Sequence, residues 1–500
     1  MTMMPRSDTA KASEQGKTVT PFAPLNAELG LGEPPLRRLV RRDLMIIKPD
    51  STIRDTLFTL NQAGVQAGVV AENPTAPLGI VTLHDLVEAI TLKKAGLSDP
   101  SFTFMTAAPA TLPADASVHR ARVTMTRGRL SHLVLIEPDG QLYNLLLPED
   151  LPGFREGGAE ALVERINLAD NVDSMADAAR AVRERGHELF ANGMGVEALC
   201  KWMSGLNDLI SIRVIELVAD EFDLPPVSWC WMVFGSEGRL EQAFASDQDN
   251  GLIFLPENES DTEAIRNAML PFARAVNRAL DICGFMLCPG DIMAGNPVWC
   301  LSAGEWRKRF ATWMEEPGPE ALLNASIFFD FRPLYGQEEL VDEMHKWLLP
   351  QPARNLRFLR GMAEQALACT PSLGWFGAFS FDGGHRYPHT IDLKTRGARP
   401  FIDAARIWAM QHGVWTTNTV ERLRALGALT NRPNADTAAS IEAFDFVQRL
   451  RIQSQLAGGE YDEINRVDPS QITVPQRLML KEAFKQAKLL QLRLSQEFVQ

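Results

Sequence analysis

Val227-Ser228-Trp229-Cys230-Trp231-Met232-Val233-Phe234-Gly235-Ser236-Glu237-Gly238-Arg239-Leu240-Glu241-Gln242, followed closely by Ser246-Asp247-Gln248-Asp249-Asn250-Gly251-Leu252-Ile253-Phe254-Leu255, decides how this chain folds. Pro225-Pro226 closes what precedes, and the β-rich run to Phe234 reads as a short buried strand. A Gly-Ser turn leaving a strand into a short helix presents backbone N–H groups and a hydroxyl, which suit phosphate oxygens. Asp247 and Asp249 stand two apart at the edge of a second strand, Leu252 to Leu255, so their side chains share a face. Carboxylates held that close repel, and both stay ionised only with a cation between them. Hard oxygen ligands with open positions suit Mg²⁺ or Mn²⁺ bound jointly with substrate phosphates, an arrangement that serves phosphoryl and nucleotidyl transfer. The bland alternative is an ordinary turn and a solvated acidic loop.

Phe234-Gly235-Ser236, ten residues, then Asp247-Gln248-Asp249 resembles the fingerprint of the nucleotidyltransferase superfamily; Gln248 and Asn250 are polar where that pattern is usually apolar. The resemblance implies that Asp247 and Asp249 are catalytic metal ligands and that Gly235 and Ser236 bind the terminal phosphates of a nucleoside triphosphate. It gives Arg239 the task of offsetting charge that develops on those phosphates. A third metal-facing carboxylate is implied on a later strand. Asp291 is the nearest candidate, within Gly284 to Ala294, a stretch similar to the family's next strand.

Upstream, residues 49–85 and 113–150 repeat one another at an offset of 65. Each copy reads as strand, helix, strand, strand, helix, and two such units can bury their sheets only against each other. The pair resembles a tandem cystathionine-β-synthase-type (CBS) domain pair over residues 35–155. That family places Thr or Ser, with Asp three residues on, where they can hydrogen-bond the ribose of an adenosine ligand. Thr82 and Asp85 match; the second copy keeps Asp150 but has Leu147 at the hydroxyl position. The competing reading makes Thr82 a helix N-cap and Asp85 a first-turn acid. Residues 156–224 switch to the helical period and read as a connector, with breaks at Gly186 and at Gly193 and Gly195. CBS domains ahead of this head, and the polar residues at 248 and 250, are closer to a bacterial subfamily whose head is similar to that of the PII-protein uridylyltransferase.

Downstream, residues 303–500 carry long helix-period stretches, including Val420 to Leu429, Ile441 to Leu456 and Pro475 to Val499. They read as a helical substrate-binding bundle, and Ile327 to Gly336 and Ile391-Asp392-Leu393-Lys394 resemble the subfamily's carboxy-terminal helical part. Residues 381–408 hold five Lys or Arg against three Asp. Arg399 and Arg406 are expected to pair with Asp392 and Asp403, leaving Lys394 to bind nucleotide. His385 and His389 flank Pro388 and read as a turn, and Trp299, Trp306, Trp313, Trp408 and Trp415 as core anchors.

The chain has 500 residues, 45% hydrophobic and 23% charged, enough for several cores, and its formal charge of -13 offers nothing to nucleic acid or an anionic membrane. No run approaches the ~18 apolar residues of a membrane span. The first residues carry no signal-peptide block, so a cytoplasmic location is expected, with residues 1–34 a flexible tail and the six scattered cysteines reduced. The expectation is an α+β multidomain protein: flexible tail, CBS pair, helical connector, α/β nucleotidyltransferase-like head over 225–302, and helical bundle. It would move a nucleoside monophosphate from a triphosphate to an acceptor hydroxyl, on a protein or a small molecule, under adenine-nucleotide control. The resemblance also implies a homodimer formed through the CBS pair. The alternative is a nucleotide-sensing regulator whose head binds without turnover.

Overall fold

The computed structural model describes residues 35–40, 42–73, 77–128, 130–151, 159–374, 377–459 and 463–500. The tail expected over residues 1–34, and Pro74 of the first repeat's turn, lie outside them.

The first repeat forms β1 (Ile46–Ile47), α1 (Ile53–Ala63), β2 (Ala67–Ala71), β3 (Pro77–Thr82), α2 (Leu83–Thr91) and β4 (Thr106–Ala107). Thr52 caps α1 by accepting from the Asp55 amide, and Gly64 ends it in the left-handed region at φ 67°. The second repeat forms β5 (Thr111–Pro113), α3 (Val118–Gly128), β6 (Leu133–Ile136) and β7 (Leu142–Leu146). The sheets β1-β2-β3-β4 and β5-β6-β7 meet where Ala67, Val69 and Ile80 pack on Val134 and Leu145. This is the mutual burial the repeat predicts. One element departs from it. Where the first copy continues into α2, the described residues of the second make a 3-10 turn, Pro148–Asp150. Leu147 has no oxygen with which to cap a helix, and Asp150 folds back to accept from the Leu147 amide at 2.9 Å.

The connector comprises α4 (Glu160–Leu168), α5 (Val172–Ala191) and α6 (Val196–Ala219). Helix α5 runs unbroken through Gly186, against the expected break there. A Cβ at that position would stand 2.6 Å from Met203 Sδ, so the glycine serves close packing of α5 on α6. The break falls at Gly193, φ 91°.

The head comprises β8 (Ser228–Val233), the single turn α7 (Gly235–Gly238), β9 (Asn250–Leu255), α8 (Thr262–Ile282), β10 (Cys300–Ser302), α9 (Ala303–Glu315), α10 (Pro319–Phe328), β11 (Arg332–Gly336) and α11 (Glu338–Leu348). Its sheet runs β10-β9-β8-β11, parallel only between β9 and β10. Two expectations need correction. The head does not end at residue 302, because β11 supplies an edge strand; of Ile327 to Gly336, the part from Arg332 on therefore serves the sheet and not a helical domain. Gly284 to Ala294 is also no strand. Gly284 and Asp291 take φ of 91° and 54°, which breaks extension, and the loop pairs with the β9 approach in strand fashion at a single bridge, between Asp247 and Met286.

Period-two alternation sorts the sheet's side chains. Cys230, Met232, Phe234 and Ile253 join the core shared with α9 to α11 and the carboxy-terminal helices. Trp231, Val233, Leu252 and Phe254 face the core built with α6 and α8. Helices on both faces explain why β8 is apolar almost throughout. The remaining elements, α12 (Leu356–Ala368), β12 (Ile391–Asp392), α13 (Arg399–His412), α14 (Thr419–Leu429), α15 (Asn434–Ala457), β13 (Arg466–Val467) and α16 (Val474–Leu494), make the bundle. Trp299, Trp306, Trp313 and Trp408 are buried, and Trp415 lies against His345 with ring centroids 4.9 Å apart. Among the described residues no helix is long and apolar enough to cross a membrane.

Candidate active site at the glycine-serine turn

Strand β8 ends in the turn because Gly235 adopts φ 56°, a left-handed conformation that favours glycine. The Phe234 amide donates to the Asp249 carbonyl at 2.8 Å, which sets the turn beside the start of β9. A Cβ on Gly235 would lie 2.6 Å from Asp249 Oδ2, so only glycine lets that carboxylate approach. Asp247, Asp249 and Cys288 offer ligating atoms that all lie within 4.8 Å of one another. Lys394 Nζ stands 3.9 Å from Asp247 Oδ1. Thus Lys394, far along the chain, converges with Gly235, Asp247 and Asp249, and Ser236 follows Gly235 in the same turn.

The intervening polar residues explain how the aspartates are aimed. Gln248 and Asn250 are buried on the opposite side. Gln248 Nε2 donates to the carbonyls of Asn277 and Phe285, both at 2.9 Å, and Asn277 Nδ2 donates to Gln248 Oε1 at 2.9 Å and Asn250 Oδ1 at 3.0 Å. The Ala294 amide also donates to Asn250 Oδ1, at 2.8 Å. A satisfied amide network of this kind fixes one register, since any slip would orphan several buried groups. The alternation then leaves Asp247 and Asp249 on the other side.

Burial and the neighbouring charge of Asp247 push the Asp249 carboxyl up to about 6, against the Cys288 thiol's hydrogen bond and the charges of Lys394 and Arg239. Burial raises the Cys288 thiol to about 12, with the Asp249 charge adding to it, so it is a neutral donor here. The repulsion between the carboxylates is the penalty a divalent cation removes, and the two carboxylates fit a hard ion whose other positions go to phosphate oxygens and water.

Asp291 does not join this group. It is exposed, and its carboxylate accepts from Asn296 Nδ2 at 2.9 Å within the loop that replaces the expected strand. Among the described residues, the third metal-ligand-type side chain beside the two aspartates is Cys288. Arg239 also departs from its expected role. Its guanidinium is buried, 2.8 Å from Glu241 and 2.9 Å from Asp330, and so points into the protein. Asp330 gathers Arg406 and Arg422 as well, at 2.7 and 2.6 Å. These guanidiniums hold the Asp330 carboxyl well below the usual range despite its burial. Arg399 and Arg406 both pair with Asp403, at 3.1 and 2.6 Å. Asp392 instead accepts from the amides of Lys394 and Thr395, at 2.8 and 3.1 Å.

Three side chains, one from β11 and two from the loop before α14, hold the rear of the turn. Arg332 donates through Nε and Nη2 to the Glu237 carbonyl at 3.1 and 3.0 Å. Thr417 Oγ1 donates to the Gly238 carbonyl at 2.6 Å, and Asn418 Nδ2 to that of Arg239 at 3.0 Å. These contacts, like Cys288, escape sequence reading because each joins segments far apart in the chain. Burial pushes the Glu237 carboxyl itself up to about 8, with Arg332 opposing and Asp208, Asp249 and Asp247 adding. A carboxyl raised in the fold binds more protons there than in the unfolded chain, so its contribution to stability is full below its ordinary 4.5 and fades as pH rises towards 8. Glu237→Gln should therefore flatten the decline in thermal midpoint between pH 5 and about 8. Parallel pH profiles of wild type and variant would refute this.

In the amino-terminal pair, Thr82 and Asp85 form a capping box at α2, the Thr82 amide donating to Asp85 Oδ2 at 2.9 Å and the Asp85 amide to Thr82 Oγ1 at 3.0 Å. The capping reading therefore describes their contacts. Asp150 is corrected as a ligand candidate: its carboxylate is fully buried against Arg42, whose Nη1 donates to Oδ1 at 3.0 Å.

A strand running into a glycine-serine turn, with two aspartates at the edge of the next strand and a helical domain behind them, defines a nucleotidyltransferase-type head. Residues 180–320 match the family model described as "Putative nucleotidyltransferase DUF294", residues 356–498 the "Putative nucleotidyltransferase substrate binding domain", and residues 36–92 the "CBS domain". The chain thus joins a CBS domain to the DUF294 putative nucleotidyltransferase domain and its substrate-binding domain. Comparison with curated proteins gave no match. Among solved structures it is similar to a CBS domain protein from Pyrobaculum aerophilum complexed with AMP, at 25% identity over 23% of this chain and 88% of that one, TM-score 0.22. It is also similar to a CBS-domain-containing protein from Agrobacterium tumefaciens, at 27% identity over 24% and 98%, TM-score 0.22.

Proposed function

We propose that the chain is a divalent-metal-dependent nucleotidyltransferase that passes a nucleoside monophosphate from a nucleoside triphosphate to an acceptor hydroxyl. The observation that carries this is the convergence of Asp247, Asp249 and Lys394 on the Gly235 turn. Asp247 and Asp249 would hold Mg²⁺ or Mn²⁺, which supplies charge neutralisation at the transferring phosphate. Ser236 and the backbone after Gly235 bind the terminal phosphates, and Lys394 balances the charge at the site's open side. The acceptor oxygen bonds to the α-phosphorus, the bond to pyrophosphate breaks, and the acceptor's proton leaves to solvent. The acceptor is a protein hydroxyl, as in uridylyltransferase-like enzymes, or that of a small molecule. An adenine nucleotide at Thr82 and Asp85 is the regulator, its ribose exchanging with their mutual hydrogen bonds, and the CBS pair is the surface of a homodimer.

Purified chain incubated with Mg²⁺ and each labelled triphosphate should release pyrophosphate, at a rate that added AMP or ATP changes. Cys288 in the place of a third carboxylate favours a second reading, a sensor that binds without turnover. Triphosphate binding with no pyrophosphate under any acceptor condition would select that reading.

A further inference from the structure

We propose that Arg332 and Asp208 are positioning residues for the glycine-serine turn, and that Arg122 connects them to the second CBS-like unit. The proposal rests on reading that turn as the phosphate-binding element, and the two can fail separately.

The turn's three consecutive carbonyls, of Glu237, Gly238 and Arg239, are all engaged from the rear. Because each peptide is planar, fixing these carbonyls also fixes the N–H groups of Gly238, Arg239 and Leu240, which donate back to the Phe234, Gly235 and Glu237 carbonyls and so hold the turn closed behind Gly235 and Ser236. Arg332 contributes the rigid part of this hold, since two donors of one planar fork meet a single oxygen, that of Glu237. The fork is oriented in turn by Asp208 on α6, whose Oδ1 lies 2.7 Å from Arg332 Nη2. The other oxygen of Asp208 faces Arg122 Nη1 at 3.3 Å. The side chains of Arg122, Asp208 and Arg332 are 5%, 2% and 13% exposed, so water screens these contacts weakly. One carboxylate thus bridges two guanidiniums inside the protein, and neither can shift without leaving a buried charge short of its partner.

Arg122 belongs to α3, in the repeat copy that lacks the ribose hydroxyl at Leu147 and has its Asp150 buried on Arg42. That copy has kept a docking face instead. Ser117 Oγ, at the start of α3, donates to Glu338 Oε2 of α11 at 3.0 Å, which makes a second tie to the head. A shift of α3 along α6 would therefore act on Asp208, then Arg332, then the Glu237 carbonyl. The intact half-site of Thr82 and Asp85 would sense, and the altered copy would transmit.

The test uses the full chain and two readouts: amide hydrogen exchange over residues 235–241, and the KM and kcat for triphosphate. Arg332→Lys, which keeps the pair with Asp208 but not the fork, should speed exchange in that segment by about fivefold or more and raise KM while changing kcat little. Arg122→Gln should do the same to a smaller degree, with exchange in the centres of β8 and β9 unchanged. Arg122→Lys should fall between wild type and the glutamine variant, and it carries the test if the glutamine variant does not fold. The double variant should exchange no faster than Arg332→Lys alone, as expected of residues acting in series. Wild-type exchange over 235–241 in both Arg122 variants, or strict additivity in the double, would overturn the relay. Absence of pyrophosphate release from wild type would overturn the transfer reading alone, because exchange still reports on the relay.

Discussion

Asp247→Asn and Asp249→Asn should each lower pyrophosphate release at least about a thousandfold, the equivalent of several kcal/mol of metal-assisted charge stabilisation. Far-UV circular dichroism should not change. The argument is electrostatic. Asp249 is already raised to about 6 by burial and by Asp247, so in cation-free protein the pair is a strained element. For a carboxyl raised above its ordinary 3.8, stability declines as pH climbs from there to about 6. Cation-free Asp249→Asn should consequently be no less stable than wild type at pH 8, and should lose the gain in thermal midpoint that Mg²⁺ gives wild type. A variant with full turnover, or one destabilised at pH 8 without metal, would contradict a metal-holding role.

Asp330→Asn should cost about 3–5 kcal/mol, the range for removing one partner from a buried ionic cluster. Arg239, Arg406 and Arg422 all converge on that carboxylate, which is fully buried. Glu241 and Asp403 would remain for Arg239 and Arg406, but Arg422 has its guanidinium aimed at Asp330 Oδ1. The thermal midpoint should fall by roughly 10 °C. Chemical denaturation of wild type and variant gives the free energy directly, and a loss under about 1 kcal/mol would mean that water reaches the three cations. Because Arg239 comes from the head, Asp330 from the segment before β11, and Arg406 and Arg422 from the bundle, the same substitution should loosen the bundle from the head.

What the sequence revealed follows from which interactions are local. The β-rich run through Cys230, Trp231, Met232 and Val233, the glycine at 235 and the two-residue spacing of Asp247 and Asp249 are short-range signals, and each has its counterpart in the structure. So has the internal repeat, whose strand-helix-strand-strand order recurs in both copies. Misplaced features depend on distant partners. Asp291 has a carboxylate's chemistry, but a positive φ turns it into a loop that brings Cys288 to the pair instead. Arg239 looks like a phosphate ligand beside Gly238, yet Asp330, 91 positions later, claims it. Gln248 and Asn250 looked like departures from a pattern until Asn277 supplied the partner that makes them necessary.

The order of the head's sheet also governs how this chain can be divided. Strand β8 has β9 on one side and β11 on the other, and β11 arrives only after two helices that follow β10. A fragment cut anywhere between residues 302 and 332 would carry the aspartates and the turn but leave β8 with a bare hydrogen-bonding edge of tryptophan, cysteine and methionine. Such an edge pairs with whatever strand it meets, so shortened versions of the head would self-associate while the intact chain keeps that border closed.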